Sequence, residues 1–132
     1  MILYINTANN KKIVLALINK QGKFLIKRSI AAEYKQSEKL LVGIENILRS
    51  KKKKKDDIEG VVVTKGPGSF TAIRIGVTTA NTLAFALGVP VVGIMDGETI
   101  EKGLLKLKKC NKFVSVIPEY GQEPNISKPK KR

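Results

Sequence analysis

The chain has 132 residues, room for one domain, and with 42% hydrophobic and 27% charged residues it is too apolar to stay disordered. Histidine is absent and Cys110 is the single cysteine, which excludes histidine-based triads, zinc sites built from Cys and His, and intrachain disulfides. The formal charge of +14 points towards a polyanion, but nine of the cations fall in two runs, Lys51 to Lys55 and Lys128 to Arg132, of the kind that solvated loops and tails carry.

The opening, MILYINTANN, has no basic segment leading into a long apolar run, so no signal peptide is expected and the cytoplasm is the default location. Ile2 to Ile5, Ile13 to Ile18 and Lys23 to Ile30 read as three strands, each rich in β-branched or large apolar residues. Asn9 and Asn10, then Asn19, Gln21 and Gly22, separate them with turn chemistry, which predicts an antiparallel meander. From Gln36 to Arg49 the period changes. Leu40, Leu41, Ile44, Ile47 and Leu48 fall at helical spacing with Glu38, Lys39, Glu45 and Arg49 between them, an amphipathic helix. The lysine run and Asp56-Asp57 form a polar connector, and Ile58 to Thr64 reads as a strand covered on both faces.

Lys65 to Gly76, KGPGSFTAIRIG, is a glycine-dense loop leading into a helical stretch, and from Ile75 to Met95 there is no charged residue. A membrane span is a poor account of that stretch. Thr78, Thr79, Asn81 and Thr82 are polar, and Gly88 with Pro90 breaks it short of the roughly 20 apolar residues a span needs. The better division is a helix from about Thr71 to Leu87 and a buried strand from Val89 to Ile94. A helix without charge on any face is normally covered on more than one side: its own sheet supplies one cover and a partner surface the other, unless the helix lies deep in its own core. Glu98 to Lys109 makes one more basic helix, Phe113 to Ile117 a short strand, and Pro118 onward a tail. Three antiparallel strands, then helix, strand, helix, strand, predict a mixed five-stranded sheet with two helices side by side on one face. That is the ribonuclease H-like α/β arrangement shared by the actin, Hsp70 and sugar kinase superfamily, an analogy of fold and not of function.

The loop before the helix has two readings. Its glycines and the helix start could hold an anion, or Gly66, Pro67 and Gly68 make a tight turn and Ser69 or Thr71 caps the helix. It has neither the Gly-Lys-Ser/Thr ending of a Walker loop nor the dinucleotide fingerprint. Where kinases and ATPases of this fold carry an acidic residue at the end of the first strand, this chain has Asn6-Thr7, and an amide is a poor magnesium ligand and no base. Asp96, after the last core strand, is the one carboxylate placed where a site could form. No catalytic residue and no metal ligand is assigned.

GPGSFTAIRIG, at Gly66 to Gly76, resembles the signature GPGSFTGxRIG of the TsaB family, also called YeaZ, with Ala72 in place of one glycine. The likeness extends over Met1 to about Gly97, through the strand opening, the QSEKLL helix start and the VPVVGI strand, and again at Ile117 to Ser127, similar to the family's closing P-x-Y segment. Family members are longer, with a second lobe between these parts. The expected division is therefore a ribonuclease H-like lobe at 1–97, a reduced remnant of the second lobe at 98–117, and a basic tail at 118–132, a pared-down version and not a fragment.

What the resemblance implies is a noncatalytic subunit that supports TsaD, the enzyme that transfers a threonylcarbamoyl group to adenosine 37 of tRNA. The pair forms through a helix bundle, and the ATPase TsaE joins it. The signature residues are Gly66, Pro67, Gly68, Ser69, Phe70, Thr71, Arg74 and Gly76. The pairing surface falls on Gln36, Leu40, Ile44 and Ile47 of the first helix and Thr79, Ala80, Thr82 and Leu83 of the second, where small residues such as Gly76 and Thr79 permit close approach. No intrinsic cofactor is implied: ATP or ADP and magnesium belong to the complex with TsaD and TsaE. Contact with tRNA is indirect, through Lys51 to Lys55 and the basic tail, no membrane is involved, and a homodimer through the same face is the alternative when the partner is missing. Asn6 in place of the usual aspartate, and Gln36 near where many members carry histidine, count against nucleotide chemistry, and nothing supports proteolysis. The competing readings are a small basic RNA-binding module and a degenerate nucleotide-binding protein of the actin-like superfamily.

Overall fold

A computed structural model describes residues 1–120, so the basic residues from Lys128 to Arg132 and most of the closing segment lie outside the described residues. The elements are β1 (Ile2–Asn6), β2 (Lys12–Ile18), β3 (Phe24–Ala31), α1 (Gln36–Ser50), a 3-10 turn (Lys55–Asp57), β4 (Gly60–Gly66), α2 (Phe70–Leu87), β5 (Val91–Met95) and α3 (Ile100–Lys108). The strands form one sheet in the order β3-β2-β1-β4-β5. The first three are antiparallel neighbours, while β4 pairs parallel to β1 and β5 parallel to β4. This is the mixed five-stranded sheet that the sequence predicts.

Alternation along β4 assigns the helices to faces. Val61 and Val63 join Leu3, Ile5, Leu15 and the buried stripes of α1 and α2, whereas Val62, with Val92 and Ile94 of β5, packs on the other face against Leu107 of α3. Side chains on both faces of β4 are therefore covered, and its unbroken apolar run follows from that. Helix α1 presses onto β2 and β3 through Gly43, where a Cβ would come within 2.7 Å of Ile30. Helix α3 approaches closely through Gly103, and Lys106 Nζ donates to Gly93 O at 2.7 Å.

Helix α2 has 18 residues and a mean hydropathy of 1.2, long and apolar enough to cross a membrane by length and composition. Its Ile73, Val77, Ala80 and Ala84 are buried on the sheet. One expected element is missing: Phe113 to Ile117 is not a strand. The segment runs extended beside α2, and the hydrogen bonds that fix it come from a helix side chain. Asn81 Nδ2 donates to Val116 O at 3.0 Å and Asn81 Oδ1 accepts from Val116 N at 2.8 Å. Phe113 packs edge-on against Phe85 near one end of α2, and Tyr120 packs on Phe70 at the other, their centroids 5.5 and 4.2 Å apart. The segment is thus a strap along one flank of the helix.

Candidate functional site

The signature residues build a rigid corner. Gly66 has φ +137, the peptide to Pro67 is cis, and a side chain at Gly66 would run into the backbone carbonyl of Glu119, whose N–H donates to Lys65 O at 2.7 Å. Gly68 lies against Ala8, where a Cβ would come within 2.9 Å of Ala8 Cα, and Ser69 N–H donates to Ala8 O at 3.1 Å. Ser69, not Thr71, caps α2: its Oγ accepts from Ala72 N at 3.4 Å. Phe70 lies between Tyr120 and the Arg74 guanidinium, which is 5.9 Å from its ring centroid. Gly76 sits beneath Thr7, whose Oγ1 donates to Ala72 O at 2.6 Å. Gly66 and Gly68 make close contact with the backbone of Glu119 and Ala8, and Gly76 with the side chain of Thr7, as a tight turn followed by a capped helix requires.

Beside this corner, at the C-terminal ends of β1, β4 and β5, is a cleft of 380 Å³ lined by Asn6, Asn9, Lys12, Pro67, Gly68 and Asp96 among others. Asn6 is committed to its neighbours, its Oδ1 accepting from Ala8 N at 2.9 Å and its Nδ2 donating to Tyr4 Oη at 3.2 Å. Asp96 is the cleft's one carboxylate, with Lys12 on the same wall. Among the described residues no three acidic, Cys or His side chains gather to hold a metal ion. The cleft thus offers one carboxylate, where magnesium is usually held by one or two together with waters and substrate phosphates. Gln36, at the start of α1, is buried and its Nε2 donates to Asn10 O, tying the helix start to the turn after β1.

The expected pairing residues separate into two sets. Leu40, Ile44, Ile47 and Ala80 belong to the chain's own core at 1% exposure or less, and Gln36 at 6% is buried with them, so none of the five can face a partner. The correction has a simple physical cause: the most apolar stripe of a helix is the one the sheet takes. What α1 presents to solvent instead is Leu41 and Val42, 55% and 57% exposed, flanked by Glu38 and Glu45. On α2, Thr78 and Thr82 are exposed, and Ile75, Thr79 and Leu83 are half-buried, with Leu83 also packed on the core. A shallow hollow between the two helices is lined by Ser37, Thr71, Arg74, Ile75, Thr78 and Thr79. Helix α2 therefore has three surroundings: the sheet beneath, the strap along one flank, and an open flank towards α1. Sequence reasoning missed the strap because Asn81 looks like any polar residue on a helix, and it missed Leu41 and Val42 because they adjoin a stronger stripe.

The family model for TsaD, tRNA N6-adenosine threonylcarbamoyltransferase, matches residues 29–108. Over 78 residues the chain is 35% identical to the tRNA threonylcarbamoyladenosine biosynthesis protein TsaB of Bacillus subtilis (strain 168), covering 54% of this chain and 34% of that protein. Over 63 residues it is 38% identical to the tRNA N6-adenosine threonylcarbamoyltransferase of Geotalea uraniireducens (strain Rf4), covering 48% of this chain and 18% of that enzyme. The chain thus spans about a third or less of the length of these relatives. Among solved structures, YeaZ from Pseudomonas aeruginosa superposes with a TM-score of 0.66 at 24% identity, over 72% of this chain and 43% of that one, a likeness of fold.

Proposed function

This chain belongs to the TsaD family as a protein of TsaB/YeaZ type, and we propose on that premise that it is a noncatalytic partner subunit in the N6-threonylcarbamoylation of tRNA adenosine 37. Its partner is TsaD, joined helix against helix, with TsaE recruited by the pair, in the cytoplasm. One observation carries the reading: the open flank of α2, with Ile75, Thr78 and Thr79, shares a hollow with Ser37 of α1, and α1 also exposes the apolar Leu41 and Val42. The relatives' names support the pathway, and this surface supports a helix-against-helix contact.

The cleft supports the noncatalytic part. Asn6 is committed to local hydrogen bonds and Asp96 is the one carboxylate on the wall, so the cleft offers few groups for a metal-bound nucleotide. ATP or ADP with magnesium belongs in this reading to the assembled complex. Residues 1–97 form the pairing lobe, and 98–117 stand for the second lobe, packed onto the first.

The test is light scattering coupled to size exclusion on this chain mixed with TsaD from the same organism. A complex of one copy each, lost in Leu41→Glu and in Thr82→Glu while both variants keep the wild-type circular dichroism, is the expected result. A chain that stays alone beside TsaD, or variants that pair at wild-type affinity, refute the assignment, and a homodimer that persists with TsaD present replaces it.

A further inference from the structure

The lysine run is the motif that the pairing reading leaves unused. It follows α1 directly, and its backbone is fixed. Lys51 and Lys53 N–H donate to Leu48 O at 3.1 and 2.8 Å, Lys52 N–H to Arg49 O at 3.0 Å, and Lys54 N–H to Asp57 Oδ2 at 2.8 Å. Lys52 is held at φ +55, a conformation that side chains with a Cβ rarely adopt. These turns curl the run around a groove of 570 Å³ lined by Arg49 and Lys52 to Lys55, with Glu45 as its one carboxylate, already paired to Lys55 at 3.2 Å. Among the described residues Lys51 to Lys54 make no ion pair.

Two ordinary explanations fall short. Cations at a helix C-terminus complement its dipole, but that effect fades within the last turn, so it covers Arg49 and Lys51, and with Lys55 paired to Glu45 it leaves Lys52 to Lys54 without a reason. A solvated run would be irregular, whereas this one is pinned into a concave shape that brings like charges together. An anionic bilayer fits poorly, because such a surface adds exposed apolar anchors to its cations and Leu48 on the groove wall is 3% exposed. We infer that the groove formed by Arg49 and Lys52 to Lys55 is a phosphate-backbone site for RNA, a direct contact of this subunit with tRNA. The choice of RNA among polyanions rests on the tRNA-modification reading above; the groove itself does not. No aromatic side chain lines it, so it reads backbone charge and not sequence.

The test is fluorescence anisotropy of a labelled anticodon stem-loop RNA with the full chain, alone and with TsaD, titrated in salt from about 50 to 200 mM. The triple variant K52Q/K53Q/K54Q is compared with K11Q/K35Q/K39Q, which removes three cations from exposed positions away from the groove. Each phosphate contact contributes about 0.7–0.9 to the slope of log affinity against log salt, so losing three should lower that slope by about 2 to 2.7. The control set should change it by less than one contact's worth. An unchanged slope in the groove variant, an equal fall in both variants, or binding to vesicles of anionic lipid with none to RNA overturns the proposal. Light scattering with TsaD keeps the two ideas apart: a wild-type chain that binds RNA through the groove but stays alone beside TsaD defeats the subunit reading alone, and a chain that pairs with TsaD but whose groove variant keeps the wild-type salt slope defeats the groove alone.

Discussion

Thr7 and Gly76 lock the end of the first strand to the second helix. Thr7 is fully buried, its Oγ1 donates to Ala72 O at 2.6 Å, and the missing Cβ of Gly76 would sit inside its side chain, 3.0 Å from Cγ2. The third glycine of the signature thus serves packing against Thr7.

Gly76→Ala is accordingly expected to destabilise the fold by about 1–3 kcal/mol, the usual cost of overpacking. Adding Thr7→Ala to it should recover part of the loss, because the added methyl then enters the vacated space, giving a coupling energy of about 0.5–3 kcal/mol in a urea-denaturation double-mutant cycle. Additive effects would show that the two residues do not meet.

Asn81→Ala removes both hydrogen bonds to Val116 and should cost about 1–3 kcal/mol, read first as faster amide exchange at Val116 and faster proteolysis between Phe113 and Tyr120. Asn81→Asp, which can still accept from Val116 N–H but cannot donate to its carbonyl, should fall between the two. Exchange at wild-type rate in the alanine variant would mean that the aromatic contacts and the Glu119 bond to Lys65 hold the strap without Asn81.

Leu40 and Leu41 are neighbours with opposite assignments. Leu40→Ala should cost about 2–5 kcal/mol of stability as a buried cavity mutation. Leu41→Ala should leave stability within about 0.5 kcal/mol while weakening the pairing with TsaD tenfold or more, or about 1.4 kcal/mol. Thermal melts and titration calorimetry on the two variants separate these outcomes.

Glu98 supplies a pH dependence. Its Oε2 pairs with Lys102 Nζ at 2.5 Å and its Oε1 accepts Met95 N–H at 2.6 Å, and these two, the lysine first, hold the carboxyl below its ordinary value of 4.5. A folded-state value below the unfolded one means stability that is complete above the unfolded value and lost as pH falls through the folded one. Glu98→Gln should therefore lower the urea midpoint near neutral pH, and the two midpoints should converge as pH falls through the folded-state value of the carboxyl. A gap that stays constant across the range would show that the carboxylate charge is not what matters.

The sheet was legible because its cause is local: apolar runs of strand length, Asn and Gly turns between them, and a change of period at Gln36 fix which residues are buried. The site was less legible for a reason the first helix illustrates. Periodicity identifies the stripe with the most apolar surface, and the sheet claims that stripe, so Leu40, Ile44 and Ile47 could not also serve a partner. The second helix hid its cover, since a strap held by the Asn81 side chain has no strand-like alternation to betray it. The signature loop was recognisable as a pattern, yet what its glycines touch, Ala8, Glu119 and Thr7, depends on residues far apart in the chain.

The strap also orders events in time. Sheet, helices and most of the core are complete in the chain up to α3, but the corner at Gly66 is closed by Glu119 and its Phe70 ring by Tyr120, residues some fifty positions later. During synthesis the signature corner therefore leaves the ribosome before the residues that close it, Glu119 and Tyr120.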